Sequence, residues 1–402
     1  MKIFAQSGHG EGQKIVQALN NNYIDGVIYS PKDISPSKLE EKLDELTRDY
    51  SDKEFLFDPQ YYVSLMGSNP LLNIGKLEEY SEYYFSFESR VRLERETNLR
   101  KIIEKAILFQ KNLLVSSIIS PNILISRSFD SIEGAISKNF IRLANEINVE
   151  IESQKKVYST LAISAEALMN TNELQEFLNS ITIYDNHPPY GFYILIATRS
   201  LAIAQSEIFN ADVIAGWMLL NYTLALNGFK VINGYSDLLS PLLVAVGGEG
   251  ISTGWNSNLR NFCLERFAPE KREGGSPPII RYLSSAILNR IRFDELRALK
   301  NNFNQILNNL PTDSLFIEKE SDRTDEIMQT WDALATISKE VSQGSAKKNL
   351  DILEKKIQDA TELYSRITAF YQLDKKSLGY HLEPIYYGIK KFKRLAEIEI
   401  FS

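Results

Sequence analysis

Residues 230–255, K-V-I-N-G-Y-S-D-L-L-S-P-L-L-V-A-V-G-G-E-G-I-S-T-G-W, read as a short strand, a glycine, an apolar helix begun by proline, a second short strand, and a second glycine that opens a turn. Two strands joined through a helix pair in parallel, because a parallel pair needs a crossover and cannot be closed by a tight hairpin. Strand followed by glycine, twice in succession, is how the last two units of a (β/α)8 barrel present backbone N–H groups to an anion at a helix N-terminus. Gly234 and Gly254 would supply those turns. The alternative is that both glycines serve tight turns alone, since glycine punctuates turns in every fold class.

Outward from that stretch, apolar or β-branched runs recur along the chain at 3–6, 26–29, 54–57, 113–119, 157–163, 191–197, 230–232 and 250–253. Segments with helical periodicity lie between most of them, at 13–20, 37–49, 90–110, 129–148, 172–179 and 208–226. Ser35-Pro36-Ser37 and Thr171-Asn172-Glu173 are helix-start signals. Strands alternating with helices imply a parallel sheet, and eight such units imply a closed cylinder. An open Rossmann-type sheet is the competing architecture. The segment S-G-H-G-E-G at 7–12 has glycines spaced G-x-G-x-G, and Asp25 precedes the second strand instead of ending it, so that fingerprint is not met. The expected class is therefore α/β, a (β/α)8 TIM-like barrel with a long loop between the third strand and its helix and a C-terminal helical extension.

The barrel is expected over residues 1–267. The Gly/Pro-rich break A-P-E-K-R-E-G-G-S-P-P then opens a connecting segment and a helix packed on the barrel, 268–310, and a helical bundle follows over 311–402. Helices are expected at 283–310, 325–341, 346–371 and 384–400. In the third of these Leu350, Leu353, Ile357, Ala360, Tyr364 and Ile367 recur at spacings of three and four, one apolar face of a long helix.

With 402 residues, 44% hydrophobic and 24% charged, the composition is that of a globular chain with a sizeable core. The net charge of −7 excludes a generally basic nucleic-acid-binding surface. Cys263 is the single cysteine, which excludes an intramolecular disulfide and a cysteine-based zinc cluster and fits a reducing compartment. His9, His187 and His381 lack the spacing that places two metal ligands on one helical face, so no metal site is expected. No signal-peptide run or membrane-length apolar stretch is present, and a cytoplasmic protein is expected.

In barrel enzymes the reacting groups come from the C-terminal ends of the strands. Asp58, in F-L-F-D-P-Q, ends an apolar strand and is the expected acid, base or nucleophile; its alternative is local capping of the turn at Pro59. Arg199, after Y-I-L-I-A-T, could clamp a carboxylate or phosphate, or form a surface salt bridge, and Glu166 could pair with it or with Lys32 across the mouth. His9 lies between two glycines, where a proton shuttle would be exposed. Gln6, Ser30, Gln60, Ser164, Gly234, Tyr235, Thr253, Gly254 and Trp255 are the expected ligand-binding residues. Glu249 precedes its strand and belongs to the opposite face.

The loop at 60–89 carries Tyr61, Tyr62, Tyr80, Tyr83, Tyr84, Phe85 and Phe87 among the acids Glu78, Glu79, Glu82 and Glu88. Those acids would repel an extended nucleic-acid backbone, so a lid, a protein interface or a small nucleotide is expected there. Arg260, Arg266, Lys271, Arg272, Arg281, Arg290, Arg292 and Arg297 form a basic stretch, read as solvated surface or as contacts to the phosphates of a larger ligand.

The 230–255 stretch resembles the end of flavin- and phosphate-binding barrels, in which the seventh strand ends Asn-Gly and the eighth ends at a glycine beginning a helix. Trp255 stands where those barrels carry a basic residue. Asp58, as an acid at a third-strand end, is similar to the corresponding acid of tRNA-guanine transglycosylase-like barrels, whose zinc-binding cysteines this chain lacks. The functional expectation is an enzyme that binds a phosphate-containing small molecule, a nucleotide or sugar phosphate, at its last two loops, with hydrolytic or glycosyl-transfer chemistry and no identified cofactor. The alternative is a non-catalytic barrel subunit that engages a protein partner through its C-terminal helices and aromatic loop. No membrane partner is expected.

Overall fold

A computed structural model describes residues 1–67, 71–81, 86–184, 186–269 and 279–398. Seven of the eight barrel positions are single strands: β1 (Lys2–Gln6), β2 (Gly26–Tyr29), β3 (Glu54–Phe57), β6 (Val157–Ser164), β7 (Gly191–Ala197), β8 (Lys230–Gly234) and β9 (Gly250–Thr253). The remaining position, fourth in chain order, is split into β4 (Ile118–Ile119) and β5 (Leu124–Ile125). Every pairing is parallel, in the order β3-β2-β1-β9-β8-β7-β6, with β4 and β5 both laid on β6. The first strand pairs with the last, Phe4 opposite Ser252, and that pairing rolls the sheet into a cylinder. The one remaining seam, between β3 and the fourth position, is held by the Ser116 amide donating to the Phe55 carbonyl at 2.8 Å and the Phe55 amide donating to Ser116 Oγ at 2.9 Å. The barrel is nearly closed.

The fourth run is shorter and later than 113–119 because Ser120-Pro121 interrupts it. Proline has no N–H to give to a ladder. Asn122 replaces the lost bond with its side chain, Nδ2 donating to the Thr160 carbonyl of β6 at 2.7 Å and to Ser137 Oγ at 2.9 Å.

Helices Lys14–Asn20, Pro36–Asp49, Glu96–Asn112, Ile132–Glu150, Thr171–Thr182, Ala211–Leu226 and Ser240–Ala245 follow the strands in turn. After β9 the chain makes the one-turn helix Ser257–Arg260 and the 3-10 turn Leu264–Phe267. The outer place beside β9 is taken from further along the sequence by the Arg323–Glu340 helix, packed against both the Lys14–Asn20 and Ser240–Ala245 helices. Its fully buried Trp331 donates an indole N–H to the Thr253 carbonyl at 3.3 Å.

The helix expected over 283–310 does not form. Those residues begin with an antiparallel hairpin, β10 (Arg281–Ser284) and β11 (Asn289–Arg292), followed by the short Phe293–Leu299 helix. Tyr282 and Ile291 pair on one face and enter the core, while Arg290 is buried on the other face against a carboxylate. A strand with both faces buried lacks the polar alternation that marks a half-exposed strand, so the period-two signal was hidden.

The Ala346–Thr368 helix buries its stripe from Leu350 to Ile367, as its spacing predicts. The Leu382–Leu395 helix lies on Ala211–Leu226, whose apolar residues run around its whole circumference because it is covered by the barrel on one side and by this helix on the other. Gly388 sets the approach: a Cβ there would stand 2.6 Å from Ile214 Cγ2. Among the described residues, no helix is long and apolar enough to cross a membrane.

Candidate functional site at the barrel mouth

Strands alternate side chains between the barrel interior and the outer helices. At the C-terminal end the interior positions are polar. Gln6 of β1 accepts at Oε1 from Ser252 Oγ of β9 (2.9 Å) and from Tyr193 Oη of β7 (3.5 Å), a reach between non-neighbouring strands that only interior side chains can make. Its Nε2 donates to Ser30 Oγ, just past β2, at 3.4 Å. Asp58, just past β3, has no exposed surface; its Oδ1 accepts from the Gln60 amide at 3.0 Å and its Oδ2 from Tyr62 Oη at 2.9 Å. Tyr235, just past β8, accepts at Oη from Arg266 Nη1 at 2.9 Å, and Arg266 Nη2 pairs with Asp33 at 2.8 Å. Polar groups from six barrel positions thus meet in one place.

Aromatic rings roof this cluster. Tyr62, in the 3-10 turn Tyr61–Met66, stands edge-on to Phe262 at 4.8 Å between centroids, and Phe262 also meets the Tyr235 ring at 5.6 Å. Exclusion of water acts on Asp58. Burial pushes its carboxyl up to about 6, against the opposing pull of the Gln60 N–H, the Tyr62 hydroxyl, the Arg266 charge and the Tyr193 hydroxyl. Burial also holds the Tyr62 and Tyr193 hydroxyls far above the range in which phenols ionise, so both remain donors. A carboxyl in this range can give or take a proton near neutral pH, the property general acid–base catalysis requires.

In the loop after β8 the amides turn inward to the protein itself. Strands β8 and β9 are adjacent, Ile232 opposite Gly250. The Tyr235 amide donates to Ser252 Oγ and the Ser236 amide to the Ser252 carbonyl, each at 3.0 Å, so the two amides that follow Gly234 have partners within the protein. A Cβ on Gly254 would lie 2.5 Å from Leu259 Cβ, and one on Gly234 would lie 2.8 Å from Tyr193 Oη. Neither glycine has positive φ; both are required by close approach of neighbouring side chains. Thr253 Oγ1 donates to Asp237 Oδ1 at 2.8 Å, and Arg290 grips the same carboxylate with two bonds of 2.7 Å. Burial pushes the Asp237 carboxyl up, and the Arg290 charge and hydrogen bonds overcome it and hold the group below the ordinary range. Next to this pair Arg260 joins the Gly254 carbonyl (3.1 Å) to Glu326 (2.9 Å), which ties the Arg323–Glu340 helix to the mouth.

Gln6, Ser30, Asp58, Gln60 and Tyr235 are brought together in the polar cluster, with Thr253, Gly234 and Gly254 at its edge. Four other expected residues lie apart from it. Arg199 is exposed and bonds Glu207, not Glu166, while Lys32 bonds Asn73. His9 is exposed and contributes only its carbonyl, which accepts the Trp255 indole N–H at 2.8 Å. Trp255 is buried under that loop, with Lys14 Nζ 5.7 Å from its ring. Ser164 caps the turn Ala165–Leu168, accepting from the Ala167 amide at 3.1 Å.

In the aromatic loop Tyr61, Tyr62 and Tyr80 are core residues, with Tyr80 packed on Phe57 and Phe109. Glu82, Tyr83, Tyr84 and Phe85, and also Lys271 and Arg272 of the basic stretch, lie outside the described residues. Part of that stretch is not solvated surface: the Arg260, Arg266 and Arg290 side chains are 12%, 4% and 8% exposed and bonded to Glu326, Asp33 and Asp237, while Arg297 is exposed. Tyr193 and Ser252 join the cluster beyond the strand-end residues that the sequence points to, Tyr62 enters it from the aromatic loop, and Arg266 enters it from the basic stretch. Ser252 and Tyr193 carried a usable signal, being polar or amphipathic residues inside otherwise apolar strands. Arg266 stood out only as one member of a basic stretch, with nothing to separate it from its neighbours.

A separate groove of about 710 Å³ lies between the Ala346–Thr368 and Leu382–Leu395 helices, bordered by Tyr364, Tyr380, Tyr386 and Tyr387. Its lining includes Glu362 and Glu383. Compared with protein-family models and with curated proteins, the chain matches none.

Proposed function

We propose that the C-terminal mouth of this barrel is the binding site of a small polar molecule and that Asp58 is its acid–base group, in hydrolytic or glycosyl-transfer chemistry. The observation that carries this reading is the fully buried carboxyl at a strand end, pushed up to about 6 among hydroxyl and amide groups from six barrel positions. A fold alone needs no such arrangement, since apolar side chains fill a barrel interior at lower cost. Half protonated near pH 6, Asp58 would donate to a leaving oxygen or accept from an attacking one, with Tyr62 and Tyr193 as neighbouring donors. The Tyr62 and Phe262 rings would move aside for entry and return to exclude water.

The test is a thermal-shift and native mass-spectrometry panel of nucleotides, nucleosides, sugars and sugar phosphates against the full chain and its Asp58→Asn variant. A ligand at about a hundred times its Kd adds about 2.7 kcal/mol to stability, a readable shift. Binding to the parent and tenfold or weaker binding to the variant supports the reading, and a panel without binders overturns it. A second reading, a non-catalytic subunit that binds a protein through its C-terminal helices, is supported by the exposed Phe370, Tyr380 and Tyr387 rings on that part of the chain. A mouth that binds no small molecule would leave that second reading in place.

A further inference from the structure

The hydrogen-bonding groups of the mouth do not balance. Asp58 has both oxygens occupied, Gln6 Oε1 has two donors, and Gln60 Oε1 accepts from the Lys32 amide at 3.1 Å. Two buried atoms of the same cluster have no partner among the described residues: Gln60 Nε2 and Arg266 Nε. Both are N–H donors. Gln60 has no exposed surface, and the Arg266 side chain is 4% exposed. A buried donor without an acceptor costs about 1–3 kcal/mol, and such groups in a native protein call for a specific cause.

Other features point the same way. Arg266 and Lys32 both stand over the Phe267 ring, at 5.4 and 5.5 Å from its centroid, so two cations are gathered beside the two orphaned donors. Asp33 answers Arg266 from one side only, through Nη2. Gln60 and Tyr235, the donor itself and the acceptor that holds Arg266, are non-glycine residues at φ 54, a left-handed conformation that costs energy and is concentrated at ligand clamps.

We propose that the mouth takes a substrate with an anionic end, a carboxylate or a phosphate, held by Arg266 Nε–H and Gln60 Nε2, with the reacting part of the molecule turned toward Asp58. This rests on the mouth being a small-molecule site, and it places the anion on an arginine and a glutamine, away from the Gly234 turn, whose two following amides are occupied. An anion there offsets the guanidinium charge that pulls protons off Asp58. The carboxyl then stays protonated in the complex and acts first as the acid.

The experiment measures binding of inorganic phosphate and, separately, of acetate to the full chain, its Arg266→Gln variant and its Gln60→Leu variant, by thermal shift and calorimetry. Phosphate or acetate is expected to bind the parent chain, and each substitution to weaken that binding by about ten- to a hundredfold, the worth of one charge-assisted hydrogen bond. Whichever anion binds more tightly names the source of the charge. Gln60→Leu keeps the Arg266 ion pair with Asp33, so it remains informative if Arg266→Gln does not fold. Equal anion affinity in the parent and in either folded variant overturns the proposal. So does a neutral sugar or nucleoside that binds in an Asp58-dependent way while neither anion binds, and in that case the mouth reading survives. No binding of any of these probes removes both.

Discussion

Replacement of Asp58 by asparagine isolates the energetics of the buried carboxyl. In the folded protein this group titrates at about 6, above the ordinary aspartate range, with burial as the main cause. The fold therefore holds the proton more tightly than the unfolded chain does. The resulting stability is fully present below about pH 4 and is lost as pH rises through about 6, a fall of about 3 kcal/mol. Asparagine is neutral throughout and has no such fall. Its Oδ1 can still accept the Gln60 amide, while Tyr62 must turn its hydroxyl to accept from the new amide, at a pH-independent cost of about 1 kcal/mol. Denaturant unfolding of both proteins from about pH 4 to about pH 8 should show the variant less stable by about 1 kcal/mol at the acid end and more stable by about 2 kcal/mol at the neutral end. Every other titrating group is common to both chains and cancels in the difference. A difference that stays flat across this range, or that slopes the other way, would refute a carboxyl kept protonated by burial.

Arg290→Met should cost about 3–5 kcal/mol in denaturant unfolding, because it strands the Asp237 carboxylate in the interior, and adding Asp237→Asn to it should recover most of the loss. His381, buried with Nε2 against the Leu288 carbonyl, is held down to about 4 chiefly by burial. It contributes stability above its ordinary range that is lost as pH falls from about 6.5 through about 4, so the parent chain should lose about 3 kcal/mol relative to His381→Gln over that window; parallel acid-unfolding curves would contradict this. Arg199→Ala should leave both the melting temperature and any ligand shift unchanged, since its exposed guanidinium makes a surface ion pair with Glu207.

Seven of the eight strand positions were legible in the sequence because a barrel strand is short, apolar and bounded by turns; the fourth, broken at Pro121, was displaced. The pairing of β1 with β9 follows once eight parallel units are counted. What was not legible depends on contacts remote in sequence. The eighth outer helix comes from Arg323–Glu340, after an intervening hairpin, and its place is set by Trp331 reaching Thr253 and Glu326 reaching Arg260. Neither pair has a local signature. The β10–β11 hairpin was hidden for a related reason: Arg290 looks like a solvated charge until Asp237 is known to face it.

The same division governs the site. Gln6, Ser30, Asp58 and Tyr235 could be found because the C-terminal end of a barrel strand is a position with a fixed meaning. Arg199 and Ser164 satisfied that rule and yet face elsewhere: one bonds outward to Glu207 and the other caps a turn, so register along a strand does not determine which way the next residue points. Arg266 is at no strand end and still enters the cluster, carried there by the 3-10 turn Leu264–Phe267, whose path is fixed by Phe262 and Phe267 packing in the core. An arginine in a loop is ordinarily solvated. The burial of its side chain here, with Nε–H unanswered among the described residues, is information that exists only in three dimensions, and it is the feature that the proposed anion would answer.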